Sequence, residues 1–191
     1  MSTKDEIITL PNKNLRKRSV KVGIVSEEIK AIIKGMEDAT LDWENSRKHE
    51  LGVALAAVQM DKLLRIVIIR EDFENKNNTD FTVFINPTIT KYEGNLVDDY
   101  EGCLSIKDVY GLVPRYEKVK VKAIDLSGNE FRVTAEGFLA RIFQHEIDHT
   151  NGILFIDHIK DDADAFYNLT PKGHLESLDY EHDVQKNPIL W

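Results

Sequence analysis

A single cysteine, Cys103, in 191 residues excludes any intrachain disulfide. Long apolar runs are missing too. The longest, Val53 to Val58, falls far below the ~18 residues that a membrane span requires. Basic charge is in deficit: 25 Lys+Arg face 33 Asp+Glu, a formal net charge of -8. That balance argues against a nucleic-acid partner, because such binding runs on Lys and Arg neutralising phosphates. The first residues, Met1 to Glu6, lack the apolar centre of a secretory leader and are too acidic for a transit peptide. There is no internal repeat and no low-complexity tract. Together these absences predict a cytoplasmic protein without membrane contact. What remains is 42% hydrophobic and 30% charged, ordinary proportions for a globular chain. At this length a core forms without staples.

Ser26 reads as an N-cap with Glu27 and Glu28 in the first turn of a helix. Ile29, Ile32, Ile33, Met36 and Thr40 then recur at helical spacing, and the helix is expected to end before Arg47. Arg65–Ile69 and Phe81–Ile85 read as strands, with a polar surface loop from Glu71 to Asp80 between them. Lys118–Ala123 alternates, so its lysines should face water. Ser127-Gly128-Asn129 reads as a hairpin turn into Glu130–Val133. A second helix is expected from about Glu136 to Thr150, so apolar that it should be buried and central. Asn151-Gly152 stops it. Between Asp157 and Asp183 eight acids oppose only Lys160 and Lys172, and Pro171 and Gly173 interrupt any helix. The pattern predicts an α+β fold, antiparallel β-sheets around a central buried helix, with one catalytic domain over residues 1–160 and an acidic, partly helical extension over 161–191.

The central helix carries His145-Glu146-Ile147-Asp148-His149. Histidines four residues apart share one helix face and reach one metal ion. Glu146 flanks the first histidine as a proton acceptor for water at such a metal. Two imidazoles and a carboxylate on a buried helix would otherwise need partners. A third protein ligand is required. The position six residues after His149 is Phe155, which cannot ligate. His158 lies nearby at no recognised spacing. Cys103, in Glu101-Gly102-Cys103-Leu104-Ser105, is the other candidate, although a lone thiol is commonly a small core residue. One thiolate and two imidazoles suit Zn(II) or Fe(II). The small residues of Gly52-Val53-Ala54-Leu55-Ala56-Ala57-Val58 allow close approach of another chain or a ligand, and Gln59 closes the run with an amide donor.

These three stretches, in this order, resemble the peptide deformylase family. Smaller matches are Leu15-Arg16, Asn86-Pro87 and Leu112–Arg115, so the resemblance runs from about Ile7 to Ile159. It implies a metal held by Cys103, His145 and His149. Fe(II) is the expected ion, and Ni(II), Co(II) or Zn(II) can substitute. It implies N-formyl-methionine at the start of new polypeptides as substrate, and formate as product. Glu146 would move the proton, Gln59 and the Leu104 N–H would hold the oxyanion, and the peptide would lie extended along a sheet edge. Gly52, Val53, Ala54, Gly102, Tyr110 and Arg141 would line the substrate. Asp148 and Arg115 read as a structural ion pair.

Several residues depart from the family pattern. Ala54 stands where a second glycine is usual, Ile106-Lys107 replaces a proline-containing continuation, and Tyr110 stands where an arginine is often found. Arg141 sits one turn before His145, where the pocket for the methionine side chain is normally apolar. It either snorkels out, pairs with an acid, or alters the first-residue preference. Some family members dock on ribosomes through a basic C-terminal helix, and the acidic C-terminus here does not support that contact. The competing readings are an endopeptidase using His158 or Glu176 as third ligand, and a formyl-peptide-binding module without catalysis.

Overall fold

The first helix, α1 (Glu27–Asn45), starts where the Ser26 hydroxyl accepts from the Ile29 N–H at 3.4 Å. This is a computed structural model that describes residues 1–47 and 49–191. Strands β1 (Ala54–Ala56), β2 (Ile66–Arg70), β3 (Phe81–Cys103), β4 (Ile106–Ile124) and β5 (Glu130–Glu136) precede the helix α2 (Gly137–Asn151). A short α3 (Phe155–His158), β6 (Phe166–Leu169) and β7 (Leu175–Ser177) follow. Among the described residues these strands make one antiparallel sheet in the order β1-β2-β3-β4-β6-β7, with β5 also on β4.

Alternation explains how the two helices share the sheet. Ala54, Ala56, Val67 and Ile69 pack with Ala140, Ile142, Phe143 and Ile147 of α2. Their sequence neighbours Leu55, Ile66 and Ile68 point the other way, onto Ile29, Ile33, Met36 and Ala39 of α1. Every residue of β2 is therefore buried. The predicted central helix is buried over most of its length, with Phe143 edge-on to Phe84 at 4.8 Å between centroids. Gly152 closes it in the left-handed conformation, φ 77°, which a Cβ would strain. Among the described residues no helix is long and apolar enough to cross a membrane.

The structure adds two features to the sequence reading. The strand expected over Phe81–Ile85 continues to Cys103, and its outer part is largely exposed. The last thirty residues supply β6 and β7, with Phe166 and Val184 fully buried, and a π-helical turn over Tyr180–Gln185. β6 pairs with Val109–Gly111, where β4 has left β3: the β3 register jumps from Cys103 opposite Ile106 to Glu101 opposite Gly111. Asp108 makes that bulge with φ 59°.

Candidate metal centre and substrate cavity

β3 ends beneath α2. There Cys103, His145 and His149 bring their ligand atoms within 4.8 Å of one another, with Cys103 Sγ 3.3 Å from His149 Nε2. An ion at ordinary Zn–S and Zn–N lengths holds tetrahedral donors about 3.6 Å apart, so the group fits one metal. The two histidines differ in protonation. Burial, then the neighbouring His145, lowers the His149 pKa well below the usual range, which favours the neutral, ligating form. His145 Nδ1–H donates to Glu101 Oε2 at 2.9 Å; burial would lower its pKa, but the bonds with Cys103 and Glu101 raise it well above the usual range, so a metal held at Nε2 would displace that nitrogen's proton.

Glu101 is the centre of a buried network. Besides His145 it accepts from Arg115 Nε at 2.9 Å and Nη2 at 3.1 Å, and from Arg141 Nη1 at 2.9 Å. Burial alone would raise its pKa. The bonds from His145 and Arg115 outweigh that and hold it ionised, well below the usual carboxylate range. Arg115 Nη1 continues to Asp148 Oδ2 at 2.6 Å, the expected ion pair. His158 Nε2 also lies 2.7 Å from that Asp148 oxygen, so His158 serves the ion pair and is not one of the clustered ligands.

Glu146 stands beside the ligands with its carboxyl buried, and Oε2 has no hydrogen-bond partner among the described residues. Burial raises its pKa to about 7. Gln59 is fixed at both ends of its amide: Oε1 accepts from the Ala56 N–H at 2.9 Å, and Nε2 donates to Ser105 Oγ at 3.1 Å, 3.6 Å from Cys103 Sγ. Leu104 occupies the two-residue turn between Cys103 and Ile106.

Cys103, Gln59, Leu104, His145 and Glu146 open onto one cavity of about 370 Å³, which Val53, Ala54, Gly102, Tyr110, Phe138 and Arg141 also line. Gly52 is not among its lining residues. Its N–H donates to Glu44 Oε2 at 3.2 Å, and Glu44 is paired at 2.7 Å with the buried Arg70. Ala54 lies in extended β1 and is not among the residues of positive φ, so alanine there carries no backbone strain. The close approach that Gly102 permits is that of the Tyr110 ring, since a Cβ would lie 2.6 Å from Tyr110 Cε1. Tyr110 donates its hydroxyl to Glu50 at 2.7 Å. Burial, and then this bond, push its pKa above the usual phenol range. Arg141 does not snorkel out. It is buried and pairs with Glu101, so its guanidinium is not a free cation in the cavity.

Sequence reasoning treated Glu101 and Ser105 only as polar neighbours of Cys103, and it missed Glu44 and Glu50. Glu50 and Tyr110 are 60 residues apart, and Glu101 and His145 are 44 apart. Only the folded chain joins them.

The chain matches the Polypeptide deformylase family over residues 4–165. It is 40% identical over 165 residues to a peptide deformylase of Thermomicrobium roseum, a match covering 84% of this chain and 89% of that one. It is 41% identical over 144 residues to Peptide deformylase 1 of Clostridium perfringens, covering 75% and 90%. Among solved structures, a peptide deformylase from Synechococcus elongatus in complex with actinonin superposes with a TM-score of 0.74 at 33% identity, covering 82% of this chain and 80% of that one. One from Legionella pneumophila gives 0.71 at 39% identity, covering 80% and 83%. Family, fold and a Cys/His/His cluster thus agree, and the chain belongs to the peptide deformylase family, a metal-dependent hydrolase of formyl-methionine peptides.

Proposed function

We propose that Cys103, His145 and His149 hold one divalent ion, Fe(II), for which Ni(II), Co(II) or Zn(II) can substitute, in a cytoplasmic enzyme that acts on nascent chains. The observation that carries this reading is the meeting of those three ligand atoms beside the unpartnered, buried Glu146 carboxyl on the wall of one cavity. A thiolate with two imidazoles accepts these ions by ligand type. The bound ion would supply Lewis acidity toward the formyl carbonyl and the attacking water.

The chain's own residues do the rest. Glu146 takes the proton of the attacking water at its carboxylate and passes it to the departing amine nitrogen. Gln59 Nε2 and the Leu104 N–H donate to the oxygen that becomes negative. The Ala56 N–H holds the Gln59 amide in place beforehand, so its donor needs no reorganisation during the reaction. Among the described residues β1 is an edge strand, paired only with β2. An extended peptide can therefore add beside it through main-chain hydrogen bonds, a mode that tolerates varied sequence after the first residue. Val53, Ala54, Gly102 and Tyr110 would flank that peptide, with Gly52 setting the start of the strand. The acidic C-terminal region gives ribosome contact through a basic helix no support.

Formate release from a formyl-Met tripeptide, by protein purified without oxygen and loaded with Fe(II), tests the reading. Turnover is expected, with a loss on the order of 10²–10⁴-fold in Glu146→Ala, the usual range for general acid–base catalysis. Stoichiometric metal and tight peptide binding without formate release would support the binding module instead.

A further inference from the structure

We infer that Arg141 is a positioning residue for deformylation: from the wall of the substrate cavity it holds the Glu101 carboxylate that orients His145. The inference rests on the metal-site reading above.

Arg141 and His145 are one helical turn apart on α2, so their side chains are neighbours. The Arg141 head reaches across to both long strands. Nη1 donates to Glu101 Oε1 at 2.9 Å, to Val113 O at 2.7 Å and to Asp99 O at 3.3 Å, and Nη2 donates to Val97 O at 2.7 Å. A substrate carboxylate could capture this cation only by stripping those bonds in a buried setting, which disfavours an acidic first residue. What Arg141 can offer a ligand is its methylene stem. What it offers the site is charge and geometry. Arg115 faces Glu101 and Asp148, and Arg141 faces Glu101 and, at 4.0 Å, the more exposed Asp99, so two cations stand against three anions. Without Arg141 that excess of negative charge grows, and Glu101 Oε1 is held by Arg115 alone. Arg141, like Phe138, lines both the substrate cavity and a second one of about 560 Å³, to which Asp99 and Arg115 also contribute. A shorter side chain would let water reach Glu101 from that side.

Co(II)-loaded protein tests this, because cobalt reports its ligand geometry in the visible absorption bands. In Arg141→Leu, Co(II) affinity is expected to fall about 10- to 100-fold, the range for partners that orient metal ligands, and the bands should shift. The kcat on a formyl-Met tripeptide should fall about tenfold, a typical consequence of a displaced ligand, while KM stays within about threefold. The ranking of formyl-Met, formyl-norleucine and formyl-Glu peptides should not change. Arg141→Lys, which keeps the charge, should recover part of the affinity. If the leucine variant does not fold, the lysine variant is combined with Glu101→Gln. Action through Glu101 predicts that the double variant binds Co(II) no more weakly than Glu101→Gln alone.

Additive losses in that pair would overturn the inference. So would a leucine variant with unchanged bands and affinity but a changed peptide ranking, which would make Arg141 a specificity residue. If the unaltered protein shows no thiolate-to-Co(II) band, the metal-site reading itself fails and takes this inference with it. With that band present, failure in the Arg141 variants counts against Arg141 alone.

Discussion

Two buried carboxylates, Glu101 on the cavity wall and Glu44 outside the cavity lining, are held unequally. Glu101, beneath the metal cluster, receives four N–H donors from Arg115, Arg141 and His145. Glu44, at the end of α1, receives Arg70 Nη1 and the Gly52 N–H. Nε and Nη2 of Arg70 are buried without partners among the described residues. A buried ion pair is weak as a source of stability, because desolvation offsets its attraction. Both pairs are better understood as fixing geometry. Glu101 fixes the ring of a metal ligand. Glu44 fixes the chain just before the edge strand where a peptide would add. The fully satisfied cluster sits where angular error costs most, and the half-satisfied one sits where a flexible peptide can adapt.

That contrast can be broken by experiment. Glu101→Ala should give the largest loss: two guanidinium groups lose a shared partner, so stability should fall by about 3–5 kcal/mol in a denaturant titration. Metal affinity should drop about 10- to 100-fold, and kcat should fall with it. A rise in KM alone would remove the distinction. Gln59→Leu should lower kcat by about 10²-fold or more with metal content unchanged, as for the loss of one oxyanion donor. Glu44→Ala should destabilise by a comparable ~3 kcal/mol, from the stranded Arg70 charge. Its kinetic effect should appear in KM, rising about tenfold as uniform binding is lost, with kcat little changed. Metal loss from that variant would show that the two carboxylate clusters are coupled. Ala54→Gly should matter least. We expect kcat/KM for a formyl-Met peptide to rise by no more than about threefold, under ~0.7 kcal/mol. An unchanged value would dismiss crowding by the Ala54 methyl.

The parts of this site that repeat at short range were legible. His145 and His149 share a helix face by spacing alone, and Phe138, Leu139, Ile142 and Phe143 mark the helix that carries them as a core helix. Cys103 was a candidate because its polar flanks sat badly with a core position. The network around Glu101 was not legible, since its donors lie 14, 40 and 44 residues away. Arg141 could be placed on the metal-facing side of its helix, but nothing local said which acid it would meet. The outer half of β3 escaped notice for a different reason. Residues such as Lys91, Glu93, Asp98 and Asp99 are exposed or nearly so, and a strand with little buried on either face shows no alternation. The same holds for β6 and β7, whose only fully buried residue is Phe166.

The turn of two residues between Cys103 and Ile106 separates tolerance of composition from tolerance of length. One inserted residue there would slip the register and send the thiol to the opposite face of the sheet, while carrying the Leu104 N–H away from it. The polar connection between β2 and β3, residues 71–80, closes on itself through the Glu71–Asp80 backbone bond. It could double in length at a cost of only about 0.6 kcal/mol. At the strand turn the residue count is fixed, whereas the β2–β3 loop can lose or gain whole segments. A library of single-residue insertions scanned along this chain should therefore show a sharp void at 103–106 and a broad plateau at 71–80.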